Sequence, residues 1–525
     1  MRRARGACGI VAALLAIAIA APARGDVEIK FGGQISSDIR YRLGGEEVPP
    51  GLSAVPFPSQ QRLLKYGFSR NENLIKAQLS LTIGERVKAV ADVDFVWYGY
   101  SDVNELQAET LHERVDPYRL EAHAAYIDVY KILPHVDLRI GRQVVAWGTA
   151  DRFNPTSNLN SLDLSDPVLF GKPLANDMIR LDWNPWRDLI VTAVWVPIFR
   201  PAQLPRTAPL ALTDPARPAP VQEDGIRLRL GQLALANPPT AVNAYTMLPE
   251  PSIENTQVGV RIAGRLLKQD VSLSYYHGRF GIPSPSFTVN GPKGVVSALV
   301  MWPRMDVLGA DIAGSIDKLG GLGYFAEVGV FFPQEITYGI YNDGTGTITG
   351  HDPVTFVKQM DGSYTTKQDY PEAQRGTVIP STPFAKYTIG VDYTFKNGFY
   401  LNFQYVHGFI DEFGAGRQGY AKAGAAVGDA PRLEERIGEY LVPTLQMKFF
   451  SDQVLVQLAG AIKIPSILDV EKKSCAVVNP LVEWAVWDAT SLALGAFIFI
   501  GDHDTKFGDP AAGASEIYAK AKFTY

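Results

Sequence analysis

The C-terminal segment Ser515–Tyr525 alternates strictly between two kinds of side chain. The odd positions from Ile517 to Tyr525 are apolar, whereas the even positions from Glu516 to Lys522 carry three charges. Successive side chains of a β-strand point to opposite faces of a sheet. We therefore expect a terminal strand with one apolar and one polar face, lying between an apolar and a polar environment.

The same alternation recurs along the chain and begins at 27–42, where all the charges fall on one face. That segment is long enough to cross a bilayer as a tilted strand. The other predicted strands are 75–83, 87–97, 120–130, 136–147, 178–183, 189–196, 256–263, 271–277, 307–315, 324–332, 386–395, 399–407, 440–449, 454–463, 478–486, 492–500 and 515–525. The pattern predicts an all-β fold, a transmembrane antiparallel β-barrel of about 18 strands, with 16 as the alternative count.

The spacing of these segments is also typical of such a barrel. Short turns alternate with long connections, which fits short periplasmic turns and long extracellular loops. Loops of this length would be unusual in a compact soluble domain. A secreted, soluble all-β protein is the competing interpretation, and it leaves the uncharged outward faces unexplained.

The N-terminus has the features of an export signal. Arg2, Arg3 and Arg5 precede an apolar run at 11–20 and the small-residue site Ala21-Pro22-Ala23. This order is typical of a secretory signal peptide that is removed on export. We expect a signal peptide at 1–25, a single barrel at 26–525, and a location in the outer membrane of a Gram-negative cell.

Several classes of function are disfavoured by composition. The net charge of −5 offers no basic patch for nucleic acid, and the seven histidines are not spaced as metal ligands. No stretch after the signal holds 18 consecutive apolar residues, which argues against helical spans. We predict no catalytic residues, metal or cofactor, and hence not an enzyme.

The least generic stretch reads G-R-Q-V-V-A-W-G from Gly141 to Gly148, followed by D-R-F-N-P from Asp151 to Pro155. It resembles a family of largely uncharacterised proteobacterial outer-membrane barrels with a G-R-Q-x-x-x-W-G strand. The later V-W-V-P-I-F-R-P-A-Q-L-P at 194–205 is similar to the same family. The resemblance implies a porin-like barrel and leaves the solute open.

Gly141 interrupts the alternation of its strand. Asp137 and Arg139 share one face, but Arg142 falls on the other. A lipid-facing charge at mid-bilayer costs about 2–4 kcal/mol. A β-bulge at Gly141 is therefore predicted, because it would return Arg142 to the lumen.

The segment after Trp147 is rich in Asn, Asp and Ser, which favour local turns. We predict that it folds into the barrel mouth and narrows it; an ordinary surface loop is the alternative. The candidates for the constriction and the adjacent wall are Arg142, Asp151, Arg152, Asp163, Asp166, Arg139, Glu121, Asp92, Asp94 and Arg40. Further lumen candidates are Arg42, Lys76, Arg180, Arg261, Glu327, Lys386, Asp392, Lys448, Lys520 and Lys522.

The favoured function is passive passage of a small solute through a polar lumen, with charged rings setting selectivity. Two alternatives stay open: an outer-membrane enzyme acting on lipid or surface polymer, and a structural or assembly barrel that holds a surface partner. The expected partners are outer-membrane lipid, a small-molecule solute, and the barrel-assembly machinery through the C-terminal strand. The oligomeric state and the ion preference are left open.

Overall fold

A computed structural model describes most of the chain outside its N-terminus and parts of its long connections. The described residues are 27–43, 67–101, 106–166, 170–205, 241–290, 295–334, 336–342, 347–351, 357–358, 364–365, 374–379, 381–413, 437–464, 474–502, 505–508 and 513–525. The signal peptide predicted at 1–25 lies outside them. Among these residues, no helix has both the length and the apolar character needed to cross a membrane.

Eighteen strands form one closed antiparallel sheet, in which each strand pairs with the next along the chain. They are β1 Val27–Arg42, β2 Gly67–Ile83, β3 Val87–Tyr98, β4 Tyr118–Leu133, β5 Val136–Gln143, β6 Asn176–Trp186, β7 Leu189–Val196, β8 Gln257–Leu266, β9 Gln269–Arg279, β10 Arg304–Ile316, β11 Leu322–Pro333, β12 Phe384–Thr394, β13 Tyr400–His407, β14 Glu439–Phe449, β15 Val454–Ile464, β16 Cys475–Trp487, β17 Thr490–Ile500 and β18 Glu516–Thr524. The predicted fold class and the count of 18 are confirmed.

The terminal strand closes the barrel against the first strand. Strand β18 pairs with β1 over the register Gln34↔Thr524 to Arg42↔Glu516. The rings of Phe31 and Tyr525 lie 5.7 Å apart beyond the last pair. Closure matters because an open sheet edge would leave backbone N–H and C=O groups unpaired.

The two faces of the wall divide as the alternation predicts. On β1, Phe31 and Ile39 are exposed on the outer surface, whereas Ser36 and Arg40 are buried on the inner side. On β18, Ile517 is exposed and Tyr518 is buried. The barrel thus turns apolar side chains outward and encloses polar and charged ones.

Short turns join the strands at one end of the barrel, and long connections join them at the other. The long connections carry a separate six-stranded sheet made of Ala241–Met247, Ser284–Asn290, Val295–Met301, Ile336–Asn342, Thr347–His351 and Gln374–Ile379. Two short pairs, Leu162–Asp163 with Lys172–Pro173 and Val357–Lys358 with Tyr364–Thr365, complete the described strands. The described helices are short: Leu106–Thr110, His112–Val115, Ile253–Asn255 and Asp317–Leu319.

The bulge predicted at Gly141 is wrong. Gly141 has a φ of +127°, yet it pairs in unbroken register with Tyr126 on one side and Met178 on the other. Since Met178 is buried among inward residues, Arg142 lies on the opposite, outer face. There it binds Asp177, with Nη2 3.2 Å from Oδ2.

One of the register shifts of the sheet lies one strand earlier. The register between β3 and β4 shifts between Asp92 and Val93, which pair with Ala124 and Ala122, respectively. The extra residue of this bulge is His123. A bulge redirects side chains locally, and here it leaves the imidazole close to Asp94 on the lumen side.

Candidate functional site

The chain leaves the wall after Gln143 and returns to it at Asn176, and the described residues between them, 144–166 and 170–175, lie in the lumen. We call these described residues the inward segment. It passes close to three inward-facing glycines of the wall: Trp147 lies against Gly259, Thr156 against Gly309, and Pro155 against Gly329. A Cβ on Gly259 would lie 2.7 Å from the Trp147 ring, and one on Gly309 would lie 2.6 Å from the Thr156 methyl carbon.

Gly309 and Gly329 are direct partners across β10 and β11. Their missing side chains leave a slot in the wall, and Pro155 and Thr156 occupy it. Glycine is the residue that permits such a close approach of backbone to backbone. The glycines that admit the inward segment therefore belong to strands that lie far from it along the chain.

Glu327 of β11, which is 2% exposed, anchors the turn of the inward segment. One carboxylate oxygen accepts the backbone N–H of Thr156 at 2.8 Å and its hydroxyl at 2.6 Å. The other accepts the N–H groups of Thr149 at 3.0 Å and Ala150 at 3.2 Å, and the amide of Asn154 at 3.2 Å. A buried carboxylate needs hydrogen-bond donors to offset the loss of its hydration, and here the inward segment supplies those donors.

A second anchor lies on the next strand. The hydroxyl of Thr388, on β12, donates to the carbonyl oxygen of Phe153 at 2.7 Å. The ring of Phe153 packs 4.8 Å from that of Phe409, which belongs to a different long connection. Asn160 fixes the base of the segment by accepting the Val145 N–H at 2.8 Å.

Asp166 anchors the far end of the inward segment to the opposite wall. Arg40 of β1 binds both oxygens of Asp166, at 2.6 and 2.9 Å, and Arg70 of β2 binds one of them at 2.6 Å. Arg40 is 2% exposed and also pairs with Asp38 and Glu516. Removing one partner of a buried ion pair costs about 3–5 kcal/mol, because the other charge is left buried and unpaired.

A fourth contact between wall and segment involves His123. Its Nε2 lies 2.7 Å from Oδ2 of Asp94 and 3.4 Å from Nζ of Lys172, which belongs to the inward segment. Lys76 lies 3.2 Å from Asp92 and 3.5 Å from Asp94. The bulge of β4 thus places an imidazole between the wall carboxylates and the segment.

The predicted constriction residues occupy different positions around this arrangement. Asp151 and Arg152 are exposed on the inward segment, and Asp163 accepts the N–H and hydroxyl of Ser165 within it. Asp166 is an anchor, and Arg142 lies outside the barrel. The wall candidates are paired: Arg40 with Asp166, Asp94 with His123, Asp92 with Lys76, Glu121 with Arg200, and Arg139 with Asp128. Their role in selecting ions stays a prediction.

Residues 408–413 form a second inward turn, held by Glu412. Its carboxylate accepts the N–H groups of Phe409 at 3.1 Å and Gly438 at 2.8 Å, and it also binds the hydroxyl of Tyr440. Lys506 lies 3.3 Å from the same carboxylate. Burial alone would raise the pKa of Glu412, but Lys506 and the hydrogen bond from Tyr440 hold it well below its usual range.

The two inward turns and the wall enclose a cavity of about 350 Å³. Its lining includes four basic residues, Arg152, Lys172, Arg279 and Lys386. It also includes the aromatic residues Phe153, Phe170, Phe280, Phe331 and Phe409. A lining that is both cationic and aromatic differs from the mixed charges of the wall around it.

Sequence reasoning identified part of this site. Alternation placed Glu327 and Lys386 on lumen faces, but it could not indicate what they bind. It missed Arg279, Glu412 and Lys506, which lie at a strand end or in long connections. The segment G-F-I-D-E-F at 408–413, two acids flanked by aromatic residues, was the available signal for the second inward turn.

No protein-family model and no curated protein matches this chain. Solved structures similar to it include OccAB1 of Acinetobacter baumannii, with 9% identity and a TM-score of 0.48 over 96% of this chain and 98% of that one. OccK9 (OpdG) of Pseudomonas aeruginosa has 10% identity and a TM-score of 0.45 over 95% and 98%. OprB of Pseudomonas putida has 8% identity and a TM-score of 0.37 over 95% and 94%. At these values the likeness does not extend to the roles of those proteins, and the family resemblance at 141–167 stays a prediction.

Proposed function

We propose that this chain is an outer-membrane channel through which a small solute passes passively, and that the inward segment is its constriction. The observation that carries the proposal is the anchoring of this segment across the lumen. Glu327 holds one end and the Arg40–Asp166 pair holds the other. A segment fixed to the wall on both sides narrows the lumen without depending on surface loops.

The outer surface supports a membrane location. Exposed apolar side chains cover the outward faces of the strands, as on β1 and β18. Near the short turns, Trp183, Trp484, Phe395, Phe449 and Tyr525 are exposed. Aromatic side chains at both membrane interfaces are typical of such barrels, and these residues would form the belt at the short-turn end.

The lumen supports passage of a polar solute. Its wall carries both acidic and basic side chains, which form ion pairs such as Lys76 with Asp92 and Arg139 with Asp128. In a channel, the charges and width of the narrowest part decide which solutes pass. We infer that Asp151 and Arg152, which are exposed on the inward segment, act there.

Conductance of the refolded mature chain in a planar bilayer tests the proposal. We expect discrete current steps that require the folded, heat-modifiable form. A structural barrel that only holds a surface partner would fold equally well and give no steps. Absence of current from a preparation shown to be folded would therefore overturn the channel assignment.

A further inference from the structure

We propose that His123 of β4 is a pH-sensitive switch, which keeps Lys172 of the inward segment at the wall when it is neutral and repels Lys172 when it is protonated. The inference rests on the proposed channel function and names a way in which its constriction is regulated. Its basis is the position of one imidazole nitrogen between a wall carboxylate and an ammonium of the inward segment. His123 Nε2 lies 2.7 Å from Oδ2 of Asp94 and 3.4 Å from Nζ of Lys172.

The bulge of β4 gives His123 this position. The register of β3 against β4 passes from Asp92↔Ala124 to Val93↔Ala122, which leaves His123 as the extra residue. Its side chain is only 13% exposed. A bulge redirects a side chain locally, and this one adds an imidazole to the charged residues of the lumen wall.

The contact with Asp94 determines the state of the imidazole at neutral pH. A neutral imidazole has one N–H donor and one acceptor nitrogen, whereas an ionised carboxylate only accepts. The 2.7 Å contact therefore assigns the proton to Nε2 of His123. Acid adds a second proton at Nδ1, and the ring then carries a full positive charge beside Lys172.

The charges around His123 balance only while the imidazole is neutral. Lys76 of β2 lies 3.2 Å from Asp92 and 3.5 Å from Asp94, both of β3. Lys172 is also attracted to Asp94. The cluster thus holds two negative and two positive side chains, and a protonated imidazole would be a third positive one.

The other acids near the imidazole have partners of their own. Glu121, on the same strand, lies 3.5 Å from Arg200 and 3.7 Å from Arg119. Asp163, on the inward segment, accepts the N–H and the hydroxyl of Ser165. Protonation of the imidazole therefore leaves the cluster with a surplus of positive charge.

Lys172 is the charge that gives way. Lys76 and Asp94 stand on long strands of the barrel, whereas Lys172 belongs to the two-residue strand Lys172–Pro173 of the inward segment. Like charges repel strongly at such a short distance in a largely buried site, and a protonated His123 also offsets the attraction of Asp94. Lys172 lines the cavity between the two inward turns, so an ammonium that leaves the wall enters the path of the solute. Acid should therefore make the constriction more selective for anions.

Reversal potentials of the refolded mature chain in a salt gradient test this expectation. Histidine changes its charge between about pH 5 and pH 8, so these two conditions are compared. In the parent, the ratio of anion to cation permeability should rise about twofold or more on acidification. His123→Gln keeps a donor nitrogen for Asp94 but cannot be protonated, so this rise should be largely lost.

The matched control is His277→Gln. His277 is also paired with a carboxylate, since its Nδ1 lies 2.8 Å from Oδ1 of Asp306, but it follows the inward-facing Tyr276 and so faces outward. The control should keep the rise of the parent. Lys172→Met should lose most of it, and a full rise in Lys172→Met would overturn the switch, because the imidazole charge alone would then be responsible.

Chemical labelling follows Lys172 without using the current. Acetylation of Lys172 by an N-hydroxysuccinimide ester is measured by mass spectrometry, relative to acetylation of Lys520 on β18. Comparison of parent and His123→Gln at one pH cancels the effect of pH on lysine itself. At about pH 6 the parent should be labelled about threefold or more above the variant, and at about pH 8 the two should match. Equal labelling at both pH values would overturn the inference.

The inference and the channel assignment fail in different ways. A rise in anion preference that persists in His123→Gln would overturn the switch and leave the channel intact. Labelling of Lys172 that depends on pH through His123, in a folded barrel that gives no current, would support the switch and overturn the channel.

Discussion

Thr156 donates both its backbone N–H and its hydroxyl to a single oxygen of Glu327, at 2.8 and 2.6 Å. The two residues lie 171 positions apart along the chain. Glu327 stands on the wall, and Thr156 stands on the turn of the inward segment. This double hydrogen bond joins the segment to the strand that it crosses.

Glu327→Gln should release that turn. The substitution keeps the size of the side chain but replaces an acceptor oxygen by a donor, which leaves N–H groups of the segment unsatisfied at about 1–3 kcal/mol for each buried group. We expect higher single-channel conductance and larger current noise. The matched control is Asp392→Asn, a lumen acid near the short turns, and it should behave like the parent.

The glycine slot gives an independent test of the same position. Gly309→Val places branched carbons where Thr156 now lies, since even a Cβ would be 2.6 Å from its methyl carbon. The segment should be displaced and conductance should rise. Ala310→Val, the outward neighbour on the same strand, is the control; an equal effect from both variants would show that strand distortion, and not the slot, is responsible.

The fold was largely predictable from the sequence, whereas the path of the inward segment was not. Alternation with a period of two is a local property, so Val27–Arg42 could be assigned to a strand with known faces. The slot at Gly309 and Gly329 depends on residues more than a hundred positions from Thr156, and no local pattern connects them. The bulge predicted at Gly141 was wrong for a related reason. It rested on the local charge pattern, which could not show that Arg142 pairs with Asp177 on the outer face; an extra residue is found instead at His123 of the preceding strand.

Arg142→Ala should leave ion selectivity unchanged. Arg142 lies on the outer face and binds Asp177, so its side chain does not line the lumen. Arg152→Ala, by contrast, removes a positive charge from the exposed part of the inward segment and should shift preference toward cations. Reversal potentials in a salt gradient measure the ion selectivity of both variants. A shift caused by Arg142→Ala would show that Arg142 acts in the constriction.

The second inward turn should stay docked in acid. Because the folded pKa of Glu412 is depressed, its stabilising contribution is complete above the unfolded value of about 4.3 and is lost only as pH falls through the lower folded value. Lys506→Met removes the positive charge that opposes the effect of burial on Glu412. The pKa of Glu412 should therefore rise, and the second inward turn should undock at a higher pH than in the parent. Undocking of the turn is followed by the current noise as pH is lowered. Identical plots of noise against pH for parent and variant would contradict the prediction.

The most direct test of the account is the single-channel conductance of a chain in which residues 149–172 are replaced by a short Gly-Ser linker. The variant must first show the heat-modifiable mobility of a closed barrel. If the inward segment is the constriction, conductance should increase severalfold over that of the parent, because the narrowest part of a channel dominates its resistance. A folded variant with the conductance and ion preference of the parent would contradict the account.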